Sequence, residues 1–143
     1  MSTGSETLRW RVVETGQDPS SGRSTIADDR CPDTVRLATG RGLCTLWQTD
    51  EEGLYPGPNG LRMWVFVIPP DGAASPSTPL HATATTDFGF VLRGTVLLEM
   101  EDGSTAILQQ GNAFVQTGTA HRWRNTTAER AVVGLVVTGT EGS

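Results

Sequence analysis

No window of eleven residues or more in this chain of 143 keeps apolar residues at a 3.6-residue period, so packed amphipathic helices are excluded as its architecture. Short β-branched and apolar runs alternate instead with glycine and proline. Twenty threonines, seventeen glycines and eight prolines suit strands broken by turns. Reading strands between turn signals gives residues 8–14, 24–27, 34–38, 43–49, 61–68, 88–92, 95–101, 104–108, 113–116, 121–125 and 131–138. Asp102-Gly103 marks a tight hairpin, and Gly94, Gly111 and Gly118 mark corners. Many short strands at this spacing predict an all-β sandwich or barrel.

The length fits one domain with one core. Residues 1–60 read as an extension that supplies edge strands to the same domain, and residues 61–143 as the barrel core. The turn-rich segments 17–23, 50–60 and 69–79 read as loops, the last leading into His81.

The formal charge is −5, and the eleven basic residues are all arginine, scattered along the chain. Without a basic stripe, neither nucleic acid nor an anionic membrane is an expected partner. The first residues hold no apolar signal core, and the longest apolar run, Met63 to Ile68, is far too short to cross a bilayer. A soluble, cytoplasmic protein is expected. Cys31 and Cys44 are too few and too loosely placed for a disulfide framework or a zinc site and are read as free thiols. Edge strands from the extension predict a homodimer.

The chain has only two histidines, and each stands among threonine and glycine. The first opens the stretch HATATTDFGFVLRG, His81 to Gly94; the second lies in GNAFVQTGTAHRWRN, Gly111 to Asn125. Together the two stretches resemble the paired motifs of the cupin superfamily. In that register the first motif falls on His81, Thr83, Asp87 and Gly94, and the second on Gly111, Gly118, His121 and Asn125. The resemblance implies a double-stranded β-helix, or jelly-roll, barrel whose cavity holds the functional residues. Metal-binding cupins commonly use three histidines and a glutamate, so Thr83 and Asp87 depart from the pattern. What remains resembles a two-histidine, one-carboxylate set. It implies His81, His121 and Asp87 as ligands of a divalent metal (iron, zinc, manganese or nickel), or as catalytic acid and base groups without one.

Strand parity places His81 and Thr83 on one face and gives Trp123 the parity of His121. Gln116, Trp123, Thr83 and Phe90 are candidate substrate contacts. Phe88, Trp64 and Phe66 are expected in the core or cavity wall, Arg122 and Arg124 are expected to point outward, and Asn125 is expected to fix a turn.

The family hosts many chemistries, so function has to come from the site. One class is an enzyme acting on a small, largely apolar carbonyl or phenolic metabolite, by isomerisation, cyclisation, dehydration or decarboxylation. An iron-dependent dioxygenase is an alternative, and a non-catalytic small-molecule-binding cupin is a third. The wealth of arginine, glycine and threonine points to a GC-rich bacterial source, where stand-alone cupins resemble tailoring enzymes of natural-product synthesis. Loss of His121 is expected to cost function more than folding.

Overall fold

The computed structural model describes residues 9–72 and 78–140, and among these there are eleven strands and no helix. All eleven expected runs form, with ends displaced by a few residues. Leu8, the start of the first expected run, and residues 73–77 of the expected loop before His81 lie outside the described residues. No described helix is long and apolar enough to cross a membrane.

The chain divides between Thr34 and Val35 into two compact units. The first carries β1 (Val12–Gln17) and β2 (Ser24–Arg30), an antiparallel pair in register from Val12 opposite Arg30 to Gln17 opposite Ser24, with a bulge between Glu14 and Thr15. Asp18 closes its turn by accepting from Ser20 and Ser21. Arg11 grips Asp29 through two hydrogen bonds, and Arg30 bridges Glu14 and Asp28. These pairs lie at the surface, where solvent screening leaves them little weight in stability.

The second unit holds the remaining strands: β3 (Thr34–Arg36), β4 (Gly42–Gln48), β5 (Leu61–Ile68), β6 (Thr85–Arg93), β7 (Thr95–Met100), β8 (Thr105–Gln109), β9 (Ala113–Gln116), β10 (His121–Arg124) and β11 (Ala131–Gly139). Six of them form one sheet in the order β3-β4-β5-β11-β6-β9, and three form a second in the order β10-β7-β8. The non-sequential order, with β11 returning between β5 and β6, is that of a jelly roll rather than a meander.

The core follows from period-2 alternation. Ile68, Val91, Val96, Phe114, Ala131 and Val133 form one buried cluster, with Phe66, Leu108, Leu135 and Trp123 packed against it. Leu43, Trp64 and Val137 form a second. Trp64 meets Phe66 edge-on with ring centroids 5.6 Å apart, and Phe114 lies 4.9 Å from Trp123.

Strand β6 corrects one expectation. Its buried side chains are Thr85, Asp87 and Val91, with Gly89 between them, so the intervening Phe88 and Phe90 face out, 47% and 57% exposed. Neither belongs to the core or to the cavity wall. The reason is steric. A Cβ at Gly89 would come within 3 Å of the Gly134 carbonyl, the Phe114 ring and Leu135, so this face closes on β11 and β9 and has no room for an aromatic there.

Candidate functional site

A cavity of about 230 Å³ opens inside the second unit. This is a little below the range of about 300–1,000 Å³ usual for drug-sized ligands. Trp64, Phe66, Phe114, Trp123, Val133 and Leu135 supply much of its apolar wall. Against them stand His81, Thr83, Asp87, Gln116 and His121, with Thr39, Arg41, Tyr55 and Thr78.

The backbone brings the two histidines together. His81 and His121 form an isolated antiparallel bridge, each amide N–H donating to the other's carbonyl at 2.9 Å, and their rings stand 4.6 Å apart. One turn enforces this placement. Thr83 N–H donates to the Gly118 carbonyl, and Gly118, at φ +86°, lies so close to the carbonyls of Thr83 and Thr85 that no side chain fits.

Each imidazole has one nitrogen on a backbone carbonyl. His121 Nδ1 lies 2.7 Å from the Thr119 carbonyl, and His81 Nδ1 lies 3.2 Å from that of Pro79. A carbonyl only accepts, so neutral His121 carries its proton on Nδ1 and keeps a lone pair on Nε2. The Gln116 amide nitrogen donates to that lone pair at 2.7 Å and makes a weak 3.5 Å contact with Asp87 Oδ2. Asp87 stands opposite Gln116 in the β6–β9 register, which is how two distant sequence positions share one amide.

His121, Gln116 and Asp87 are all buried, at 3%, 4% and 9% exposure, whereas His81 is exposed. Burial pushes the Asp87 carboxyl above its usual range, although the Thr85 hydroxyl offsets part of the effect. Burial also lowers His121; its bond to Thr119 opposes that shift, and the neighbouring charge of His81 adds to it. The environment thus favours a protonated acid and an unprotonated base on one wall. Two oxygens there, Asp87 Oδ1 and Gln116 Oε1, are buried with no hydrogen-bond partner among the described residues.

Thr83 lines the cavity and shares a 2.8 Å hydroxyl contact with Thr85. Trp123 lies on the wall and Phe90 does not. Arg122 pairs with Glu99 at 2.9 Å and Arg124 with Asp71 at 3.3 Å. Asn125, fully buried, donates to the carbonyls of Ile68 and Glu129 and accepts from Thr127, which pins the turn before β11. Neither Cys31 nor Cys44 is in a disulfide.

The donor chemistry tests the implied metal. Among the described residues no three His, Cys, Asp or Glu side chains gather as a ligand set. The Nε2 of His121 is engaged by the Gln116 amide N–H at 2.7 Å, so its lone pair is already committed to a hydrogen bond. As arranged, these residues fit a hydrogen-bonded acid–base cluster and not a metal centre. Sequence reasoning passed over Arg41, Tyr55 and Thr39 because they precede the motifs by tens of residues and sit in turns.

A jelly roll with its polar cluster on the inner wall, built by two motifs meeting across the His81–His121 bridge, defines a cupin. The Cupin domain family model Cupin_2 matches residues 64–138, and the chain belongs to that family. It is 37% identical over 60 residues to the cupin-domain-containing oxidoreductase srdD of Neurospora crassa, a match covering 42% of this chain and 31% of that protein. It is 47% identical over 45 residues to oryzines biosynthesis cluster protein J of Aspergillus oryzae, covering 32% of this chain and 25% of that one. The matched segment therefore spans about a third or less of those proteins. In fold it is similar to the Schizosaccharomyces pombe Cnp3 cupin domain, with a TM-score of 0.61 at 12% identity over 90% of this chain and 87% of that one.

Proposed function

We propose that the chain is a small-molecule tailoring enzyme whose buried His121–Gln116–Asp87 cluster performs proton transfer on a small, largely apolar carbonyl or phenolic metabolite. The observation that carries this reading is the pairing of a base shifted down and an acid shifted up around one shared amide, with two orphaned oxygens beside them. Ionisable groups gathered in an apolar cavity are costly to folding unless they are used.

In this mechanism substrate displaces the Gln116 amide from His121. Nε2 then takes a proton from carbon or oxygen next to the substrate carbonyl, while the Asp87 carboxyl donates its own proton to the developing oxyanion. The proton His121 gains matches the one Asp87 gives up, so the substrate is enolised with no change of oxidation state and isomerisation or cyclisation needs no oxidant; in dehydration, a hydroxyl β to the carbonyl leaves as water with the proton that His121 took up. Thr83 and Gln116 orient the polar end, and Trp123 packs against the apolar body. The names of the fungal relatives, a biosynthesis cluster protein and an oxidoreductase, support a place in natural-product synthesis.

The test is to incubate chelator-treated protein with a panel of aryl ketones and phenols in D₂O and follow C–H exchange by NMR. Wild type is expected to catalyse exchange, with His121→Ala and Asp87→Asn slower by about 10²–10⁴-fold. Exchange that appears only after a divalent metal is restored, or no exchange under either condition, would overturn the metal-free proton transfer.

A further inference from the structure

Two arginines are drawn into the interior of the second unit, and they differ in their partners. Arg62, 1% exposed, has the Asp50 carboxylate at 3.1 Å and the carbonyls of Leu61 and Glu52 as acceptors. Arg41 lines the cavity and is half-buried, and among the described residues its guanidinium makes one hydrogen bond, from Nη2 to the Trp123 carbonyl at 2.6 Å. Its Nε–H, like that of Arg62, is buried with no partner among the described residues, but Arg41 has no carboxylate of its own as Arg62 has Asp50. Asp71 is the carboxylate whose charge it feels, and Arg124 and the Asn125 amide already occupy that group. The carboxyl on the cavity wall, Asp87, is held toward its neutral form and forms no ion pair with Arg41.

A half-buried guanidinium whose buried Nε–H lacks a partner is costly, and an anion beside it would offset that cost. The chain holds it there firmly. Arg41 ends a tight turn in which Leu37 N–H donates to the Arg41 carbonyl and Gly40 N–H to that of Leu37, with Gly40 at φ +88°. Nη2 reaches the edge of β10 that also carries the His81 bridge, two residues beyond His121. At the rise of an extended strand, that spacing is on the order of 7 Å.

We infer that the cavity ligand carries a carboxylate, bound by the guanidinium of Arg41 on the order of 7 Å along β10 from the His121 end of the site. Arginine matches a carboxylate with parallel N–H donors, and the Nε–H of Arg41 has no partner among the described residues to compete for that role. The inference deepens the proposed function to an apolar carboxylic acid and rests on the cavity holding a small molecule.

The experiment measures, by titration calorimetry, the affinity of the full chain for 3-phenylpropionate and for its neutral isostere 3-phenylpropanamide. Wild type is expected to prefer the acid by about 10- to 100-fold, the range for hydrogen bonds to charged groups. Arg41→Gln keeps a polar amide but lacks the charge; it is expected to bind acid and amide with similar affinity and so to lose the preference. Arg41→Lys is expected to retain part of it, since lysine keeps the charge without the fork. Equal wild-type affinity for acid and amide overturns the carboxylate while leaving the cavity reading intact, and it does so whether or not Arg41→Gln folds. Full preference retained in Arg41→Gln, or in Arg41→Lys should the glutamine variant not fold, would overturn the role of Arg41. Binding of neither probe overturns both readings.

Discussion

The two faces of β6 and β9 invert the usual distribution of side chains. Inward, β6 buries Thr85, Asp87, Gly89 and Val91, and β9 buries Phe114 and Gln116; outward, Phe88, Phe90 and Leu92 stand exposed beside Val115. Along β6 the more polar set is inside and the aromatic set outside. Hydrophobicity does not decide which face of this strand is buried. Cavity and neighbours do, because a carboxyl, an amide and a glycine are what fit against a functional pocket and a close β11.

The largest test of that contrast is a pair of phenylalanines. Phe114→Ala removes a buried ring that packs on Trp123 and should cost about 3–5 kcal/mol in urea denaturation. Phe90→Ala, on the outer face, should stay within about 0.5 kcal/mol. Comparable losses at the two positions would mean that the outer face is as packed as the inner.

The histidines give the next effect. His121→Ala strips partners from the Gln116 amide and the Thr119 carbonyl, at about 1–3 kcal/mol. His81→Ala, at an exposed position, should shift stability by less than about 0.5 kcal/mol. The sequence alone suggested that His121 would matter little to folding; its two buried bonds give it a structural share as well. The pH dependence has a definite sign. Burial lowers the folded pKa of His121, so its contribution is present above the ordinary value near 6.5 and is lost as pH falls toward the depressed one. The gap between wild type and His121→Ala should therefore narrow on acidification, and thermal melts at pH 8 and pH 5 would reveal a gap that stays constant.

Asp87 should give the smallest change and the opposite sign. Its folded pKa is raised, so its contribution is complete below about pH 3.8 and is lost as pH rises through the raised value. Asp87→Asn should melt higher than wild type at neutral pH, with the gain disappearing in acid. A destabilised variant at pH 7 would mean that the carboxylate is better satisfied than its orphaned Oδ1 suggests.

Much of this molecule was legible in its sequence because strand ends are written in turn chemistry. Ala113–Gln116 and Leu61–Ile68 come out at their exact ends from glycine and proline punctuation alone. The meeting of His81 and His121 was legible through the motif register. Phe88 and Phe90 were misplaced because alternation fixes which residues share a face but not which face is inside, and apolar character argued for the wrong one. Arg41 was illegible for a different reason: one arginine in a turn carries no sequence signal, and only the fold shows that it lacks an anion.

The protons of the site are directed by main-chain oxygens, those of Thr119 and Pro79. Every amino acid supplies a carbonyl, so drift at residues 79 and 119 can change the side chains there without erasing the tautomer they impose. In evolutionary terms, this part of the chemistry is carried by the path of the chain. A lineage can therefore vary the cavity lining to suit a new metabolite while inheriting the orientation of its base unchanged.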